Sequence, residues 1–231
     1  MRLNCLQNFQ IPRISRQNPS QNECFTSLNF RQGMQSGVIL SRAQSLKSTI
    51  ATTRWHPFML LPSAPKEGAP KKEVLLEKFG PRAVQIEARM AETATQTVHA
   101  RVFKGLGLDY DTDGLTGNTL DSHRLIYFAG KQGLDKQHNL VEELGTGYFT
   151  QGKYIGDREF LVEAANKVGV EGAAEFLEDP NNGLKEVTEE INKYSSQVSG
   201  VPHYVINGKY ELSGGQPPEV FLRAFQAAAS K

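Results

Sequence analysis

The dipeptide Asn207-Gly208, between two short apolar runs, restricts the fold of this chain more than any other feature. Asn-Gly supplies the two positive φ angles that a type I′ turn requires, so residues 204–206 and 210–212 are predicted to pair as a β-hairpin. Pro202 has no amide hydrogen for a strand ladder and therefore belongs at the start of the first strand. Behind the hairpin, Pro217-Pro218-Glu219 predicts the beginning of a helix.

The composition is that of a globular protein with one or two domains. Of the 231 residues, 39% are hydrophobic and 22% are charged, and the chain is long enough to bury a sizeable core. No apolar run approaches the ~18 residues of a membrane span. Residues 1–50 carry six basic residues against Glu23, which leaves 20 basic and 24 acidic residues in the rest of the chain. This mildly acidic remainder argues against nucleic acid as a partner.

The cysteine content restricts redox and metal chemistry. Cys5 and Cys24 are the two cysteines and lie 19 positions apart, which is neither a Cys-x-x-Cys motif nor a metal-ligand spacing. Residues 109–114 begin like a calcium-binding EF-hand loop, but the twelfth position is Leu120 and lacks the required carboxylate. The five histidines show no metal-ligand spacing. The sequence therefore predicts no metal site.

The patterns along the chain divide it into four segments. Residues 1–48 are predicted to be poorly structured, and their Arg-rich, Ser-rich composition is typical of a transit peptide. A disordered tail and a non-homologous exon are the alternatives. Residues 49–65 contain a predicted strand around Trp55, residues 66–198 are predicted to be helical, and residues 199–231 hold the hairpin and the last helix. We expect a cytoplasmic protein, with mitochondrion or plastid as the alternative location.

Glycines interrupt one of the predicted helices. The apolar positions predict a helix over residues 134–149, and Gly145 and Gly147 fall inside it. Each glycine costs a helix roughly 0.5 to 1 kcal/mol relative to alanine. We therefore expect this helix to be locally weak.

Three motifs, in this order, resemble one known family. Residues 55–60 read Trp-x-Pro-Phe-x-Leu, residues 118–125 read Asn-Thr-x-x-x-His-Arg-Leu, and Gly-Val-Pro at 200–202 precedes the hairpin. Together they resemble the DsbA-like oxidoreductases of the thioredoxin fold, in particular the FrnE-like subgroup. The resemblance covers residues 52–231.

This resemblance implies the fold class and the domains. It implies an α/β, thioredoxin-like fold whose core is formed by residues 49–65 and 199–231. Residues 66–198 are then a large helical domain inserted into that core.

The resemblance also implies where a substrate binds. In the family, the proline after Val201 is cis and faces the redox cysteines, and the tryptophan of the second strand lies close to the active site. The helix that begins after Asn118 faces the same site across the domain interface. Ordinary structural roles are the alternatives, namely a core tryptophan and a buried histidine that orients helices. The expected substrate-binding residues are thus Val201, Pro202, His123, Asn118 and Trp55.

The sequence shows neither the first strand nor the Cys-x-x-Cys helix that the resemblance implies some 25 to 30 positions before Trp55. Residues 25–31 contain no cysteine. Cys24 lies near the expected place, but Ser27 occupies the position of its resolving partner. The first strand is therefore predicted to be missing or replaced, with residues 37–40 as the substitute. Loss of that strand would leave an unpaired sheet edge.

Three functions stay open at this point. The first is that of a DsbA-like thiol–disulfide oxidoreductase whose catalytic cysteines are absent, so that no catalytic residue is assigned. The second is a glutathione-dependent transferase or isomerase, of the kappa or 2-hydroxychromene-2-carboxylate isomerase type, with glutathione as co-substrate. The third is a non-catalytic module that binds an extended peptide at residues 201–202. We expect thiol or disulfide proteins or glutathione as partners, no nucleic acid or membrane, and no resident cofactor.

Overall fold

The computed structural model describes residues 22–26, 53–80, 111, 113–195, 198–214, 216 and 218–229. Its strands are β1 (Asn22–Thr26), β2 (Thr53–Pro57), β3 (Ala69–Pro70), β4 (Leu115–Thr116), β5 (His203–Ile206) and β6 (Tyr210–Ser213). Its helices are α1 (Lys71–Phe79), α2 (Leu120–Gln132), α3 (Leu134–Thr150), α4 (Arg158–Lys167), α5 (Ala173–Glu178), α6 (Leu184–Ser195) and α7 (Pro218–Ala229). No helix among these is long and apolar enough to cross a membrane. A helical stretch thus lies between β2 and β5, as expected for the α/β class.

Four strands form the main sheet, in the order β2-β1-β5-β6. β1 is parallel to β2 and antiparallel to β5, and it places Cys24 opposite Trp55 on one side and Tyr204 on the other. β5 and β6 are antiparallel. Asn207 and Gly208 join them with φ angles of 54° and 63°. Both angles are positive, as a type I′ turn requires, so the hairpin prediction is confirmed.

The strand between β2 and β5 comes from the N-terminal segment and corrects the sequence analysis. Residues 1–48 are predicted to be poorly structured, yet Asn22–Thr26 forms this strand. Because β1 pairs on both sides, there is no gap and no unpaired edge between β2 and β5. The proposed substitute, residues 37–40, lies outside the described residues. The sequence signal for a strand is weak here because the segment is short and mainly polar. Whether such a segment forms a strand depends on the strands with which it pairs.

Side chains alternate across a strand, so the sheet has two faces. Trp55 and Tyr204 lie on one face, which we call the Trp55 face, and they belong to the main hydrophobic core. His56 and Val205 alternate with these two residues and lie on the other face, which we call the His56 face. The main core includes side chains from the helices between the two halves of the sheet, among them Leu125, Leu140, Leu144, Phe149, Phe160 and Leu161. The cluster on the His56 face is smaller and joins Val198, Val201, Phe58, Tyr194 and Val205.

The helix predicted over residues 134–149 is confirmed as α3, but Gly147 has a packing role that the sequence does not reveal. A Cβ atom on Gly147 would overlap with the Phe160 ring. The missing side chain therefore lets the first turn of α4 pack against α3. Asp157 begins α4 by accepting hydrogen bonds from the backbone N–H groups of Glu159 and Phe160.

Candidate functional site

The segment directly before β5 combines buried side chains with an open approach. The Val201–Pro202 peptide bond is cis, the isomer that the resemblance implies. Both side chains are buried, and the Pro202 carbonyl accepts a hydrogen bond of 2.8 Å from Gly214 N–H. A Cβ atom on Gly200 would meet none of the described residues within 4 Å. The segment is therefore open at Gly200 with respect to the part of the chain that the structure describes.

His123 is a buried, neutral histidine on α2. Burial lowers its pKa to about 4, and a hydrogen bond with the Phe58 backbone opposes that shift. Its Nε2 atom is buried and has no hydrogen-bond partner among the described residues, so Nδ1 makes the bond to Phe58. A bond that favours the protonated ring is one in which the ring donates to a carbonyl. His123 therefore keeps an acceptor lone pair on Nε2.

Asn118 fastens the start of α2 to the loop that follows β2. Its Nδ2 donates to the Pro62 carbonyl at 3.2 Å, and its Oδ1 accepts from Leu120 N–H at 2.9 Å. Its backbone N–H donates to the Pro65 carbonyl at 3.0 Å. Both ends of the side chain are thus engaged, and Asn118 fixes the position of the helix that carries His123.

Trp55 is a core residue on the Trp55 face. Its backbone N–H donates to Oε1 of Gln137 at 3.0 Å, and its carbonyl accepts from Nε2 of the same side chain at 3.2 Å. The indole Nε1–H donates to Nδ1 of His138 at 3.1 Å. Trp55 is 4% exposed. These contacts direct it toward α3 and away from the side of the sheet on which Val201 packs.

Phe58 is the residue at which two of the five predicted site residues meet. Its backbone bonds His123, and its side chain packs in the cluster that contains Val201. Pro202 follows Val201 directly. Phe58 thus connects His123, through its backbone, to the cluster that contains Val201, through its side chain. Asn118 lies at the neighbouring loop, and Trp55 lies on the opposite face.

The sequence analysis assigns no role to His56, but the structure gives it a charged partner. Nδ1 of His56 lies 3.0 Å from Oε2 of Glu190 on α6, and the two side chains are 3% and 28% exposed. The Tyr194 ring lies 4.4 Å from the His56 ring, measured between centroids. A separation of 134 residues leaves no spacing signal for this pair. Only the helical register of Glu190 and Tyr194, four residues apart on one face, hints that they act together.

One family description, the DSBA-like thioredoxin domain, matches residues 36–226. The chain belongs to the DsbA-like thioredoxin-domain family. The match does not separate subgroups, so the FrnE-like assignment stays a prediction. No curated protein matches the chain.

Solved structures of DsbA-type proteins share the fold. A structure titled probable DsbA oxidoreductase from Streptomyces coelicolor is 25% identical, with a TM-score of 0.78 over 92% of this chain and 91% of that one. A 2-hydroxychromene-2-carboxylate isomerase is 13% identical, with a TM-score of 0.63 over 90% and 95% of the two chains. The cytosolic disulfide reductase DsbM from Pseudomonas aeruginosa is 17% identical, with a TM-score of 0.57 over 90% and 100%. The last two likenesses show the fold alone.

The end of β1 lies close to the place where the resemblance implies a Cys-x-x-Cys pair. β1 ends at Thr26, so residues 27–31 directly follow the strand between β2 and β5. This is the stretch in which the sequence analysis expects Cys-x-x-Cys. The sequence from residue 25 onward contains no cysteine. Cys24 itself lies within β1, in register with Trp55, rather than at the start of a helix.

Metal ligation has no support in the part of the chain that the structure describes. No group of three or more His, Cys, Asp and Glu side chains is arranged there to hold a metal ion. In the acidic turn, Asp113 N–H donates to Oδ1 of Asp111 at 2.7 Å. The Asp113 carboxylate lies 2.8 Å from Nζ of Lys72, and this contact lowers the pKa of Asp113.

Proposed function

We propose that this DsbA-like protein binds a thiol compound of the glutathione class beside Gly200 and Val201, without running a dithiol–disulfide cycle of its own. The observation that carries this proposal is the position of β1, which ends at Thr26 and is followed by no cysteine. A dithiol cycle requires a second thiol that attacks the mixed disulfide. Cys24, whose backbone is paired on both sides within the sheet, has no Cys-x-x-Cys partner.

The segment before β5 suits the backbone of a short, extended thiol compound. Pairing with β6 extends to Pro202 through the hydrogen bond from Gly214, and no described residue lies within 4 Å of the place where a Cβ atom of residue 200 would be. An extended ligand that adds to a strand obtains affinity from main-chain hydrogen bonds. The cysteinyl part of glutathione is such a ligand. One structure of DsbM, 18% identical with a TM-score of 0.53, is titled as a complex with GSH.

The alternatives are a cysteine-containing peptide and a transferase or isomerase reaction. A peptide would use the same open edge, and fold likeness to an isomerase does not carry its reaction to this chain. We propose the cytoplasm as the location, because its glutathione pool is strongly reducing. The basic N-terminal composition makes mitochondrion or plastid the alternative.

Calorimetric titration with reduced glutathione tests the proposal. We expect the Cys5→Ser, Cys24→Ser double variant to bind glutathione as the unchanged chain does. Gly200→Trp fills the open approach and should weaken binding about tenfold or more, a loss of about 1.4 kcal/mol. Gly200→Ala is the matched control and should change binding less than about twofold, because none of the described residues lies within 4 Å of its new Cβ.

Two results would contradict the proposal. One is the absence of glutathione binding by the unchanged chain. The other is a disulfide reductase activity of the unchanged chain that Cys24→Ser abolishes, since that result assigns the chemistry to a single cysteine in β1. A cysteine-containing peptide could also compete with glutathione, and Gly200→Trp could weaken its binding to the same degree. That result would extend the ligand class to peptides and leave the proposed site unchanged.

A further inference from the structure

The two outer edges of the main sheet, β2 and β6, differ in how their main-chain groups are paired. At β2, the Gln137 amide lies beside Trp55 in the way that the peptide group of a further strand would. Its Oε1 accepts from Trp55 N–H at 3.0 Å, and its Nε2 donates to the Trp55 carbonyl at 3.2 Å. A Cβ atom on Gly130 would lie 2.8 Å from this Nε2, so the glycine leaves room for the amide. The β2 edge is therefore closed at Trp55.

The β6 edge is open at two residues. Gly214 N–H donates to the Pro202 carbonyl at 2.8 Å, which makes these two residues a hydrogen-bonded pair. Bonded and non-bonded pairs alternate along antiparallel strands, so Glu211 and Ser213 belong to non-bonded pairs, and their main-chain groups face away from β5. Among the described residues, only the Gln216 amide bonds to these groups, by donating to the Ser213 carbonyl at 2.7 Å.

The β6 edge is exposed, and α7 holds it in place. The Glu211 side chain is 69% exposed. The Tyr210 hydroxyl donates to the Ala227 carbonyl of α7 at 3.1 Å, and Nδ2 of Asn207 donates to the Ala228 carbonyl at 3.3 Å. These bonds fix the hairpin against the helix. A partner strand therefore adds to an edge that is already ordered, which lowers the entropy cost of binding.

A second copy of β6 is complementary to this edge when the two strands are antiparallel, with Glu211 of each copy opposite Ser213 of the other. The outward N–H and carbonyl groups of these residues then bond to each other across the interface. The Ser213 carbonyl has two lone pairs, so it accepts from the second copy as well as from Gln216. Each Glu211 carboxylate lies beside a neutral serine. A shift of the register toward the turn would instead place the two Glu211 side chains directly opposite each other, which is destabilising.

We propose that β6 is an interaction edge at which a second copy of this chain adds its own β6 antiparallel, so that the two sheets become continuous. The register places Leu212 opposite the same residue of the second copy. Because one patch pairs with itself, the assembly closes as a two-fold dimer. The Gln137 amide at the other edge opposes further strand addition there. This inference does not depend on glutathione binding.

Analytical ultracentrifugation over a range of protein concentrations tests the dimer. The unchanged chain should show a monomer–dimer equilibrium. Glu211→Pro removes the outward N–H but no hydrogen bond to β5, and proline is tolerated at such positions of edge strands. We expect this variant to weaken dimerisation about tenfold or more. Glu211→Ala keeps the N–H group and is the matched control, with an expected change of less than about threefold.

Disulfide formation between copies tests the register. The experiment uses the Cys5→Ser, Cys24→Ser chain, so that each added cysteine is the only thiol. Leu212→Cys places two cysteines directly opposite each other, with Cβ atoms about 4.5 to 5.5 Å apart, close to disulfide geometry. Glu211→Cys places them diagonally, about 7 to 8 Å apart, which is too far. We expect Leu212→Cys to form covalent dimers faster under mild oxidation, although residue 211 is the more exposed of the two.

Three results would overturn the inference. The first is an unchanged chain that stays monomeric at every concentration, even if an unrelated extended peptide adds to β6. The second is a dimer that Glu211→Pro leaves intact, because it must use another surface. The third is disulfide formation that is as fast in Glu211→Cys as in Leu212→Cys, since random collision or another register explains it. Should Glu211→Pro not fold, the two cysteine variants alone decide.

Discussion

Trp55 and His56 are adjacent in β2 and are both 4% exposed, but opposite faces of the sheet hold them by different chemistry. Trp55 lies in the large apolar core and donates to a neutral acceptor, Nδ1 of His138. His56 lies beside a small cluster and contacts a carboxylate, Glu190, that is partly open to water. The comparison indicates that the Trp55 face supplies most of the stability, whereas the His56 face retains an ionisable pair, His56 and Glu190.

Trp55→Ala should produce the largest effect. Truncation of a buried aromatic residue to alanine costs about 3 to 5 kcal/mol. Trp55→Phe keeps most of the packing, loses the hydrogen bond to His138, and should cost about 1 to 2 kcal/mol. Urea unfolding at pH 7 measures both values. A loss below about 2 kcal/mol for Trp55→Ala would show that the Trp55 face is not the main source of stability.

The second prediction concerns the pH dependence that His123 imposes. Its folded pKa of about 4 lies below the ordinary value of 6.5, so the unfolded chain binds more protons between these values. The stability that neutral His123 supplies is therefore complete above pH 6.5 and is lost as the pH falls toward 4, by about 3 kcal/mol. His123→Gln should remove this slope from urea unfolding measured between pH 4 and 7. An unchanged slope would contradict the burial of a neutral imidazole.

Glu142 on α3 should impose the opposite slope. Burial raises its pKa from 4.5 to about 7, so the folded chain binds more protons between these values. Its contribution to stability is complete below pH 4.5 and is lost as the pH rises toward 7. The expected loss is about 2 to 3 kcal/mol, because the side chain is only partly buried. Glu142→Gln should therefore gain stability over the unchanged chain at pH 8 more than at pH 4.5. Equal differences at the two pH values would contradict the prediction.

Gln137 and Gln132 allow a comparison between a buried and an exposed pair of side-chain-to-backbone hydrogen bonds, of which the buried pair holds the Trp55 backbone. Each side chain donates to and accepts from the backbone of one partner, Trp55 for Gln137 and Glu171 for Gln132. Each also has one further bond, because Gln137 Nε2 donates to the Ile126 carbonyl and Gln132 Oε1 accepts from Lys136 Nζ. Gln137 is buried, whereas the Gln132 bonds are exposed. Gln137→Ala leaves buried polar groups unpaired and should cost about 2 kcal/mol. Gln132→Ala should cost no more than about 0.5 kcal/mol. Similar losses in the free energy of unfolding for the two variants would show that burial does not determine how much these hydrogen bonds contribute to stability.

Local chemistry explains which parts of the fold the sequence predicts. The Asn207-Gly208 turn can be predicted from the sequence because its positive φ angles depend on two adjacent residues. β1 cannot be predicted in this way, because its five residues form a strand only through pairing with β2 and β5, which are distant in sequence. From the sequence alone, Gly147 is predicted to weaken α3. The structure shows that a side chain at this position would overlap with the Phe160 ring.

The candidate site is predictable to the same limited extent. His123 and Val201 are predicted through motifs. In the structure His123 bonds the Phe58 backbone, and Val201 belongs to the cluster against which the Phe58 side chain packs. The contact between His56 and Glu190 joins residues 134 positions apart, so no local pattern reveals it. Trp55, which the resemblance places close to the active site, packs on the other face of the sheet.

Glu190→Gln should have the smallest effect on stability, although it alters the contact between Glu190 and the buried His56 ring. The amide keeps the size of the side chain and an acceptor oxygen near Nδ1 of His56, and Glu190 is 28% exposed. Pairs of this kind contribute about 1 kcal/mol or less. Urea unfolding at pH 7 should therefore show a loss well below that of Trp55→Ala. A loss above about 2 kcal/mol would mean that the His56 face is also built for stability, and the contrast between the two faces of β2 would disappear.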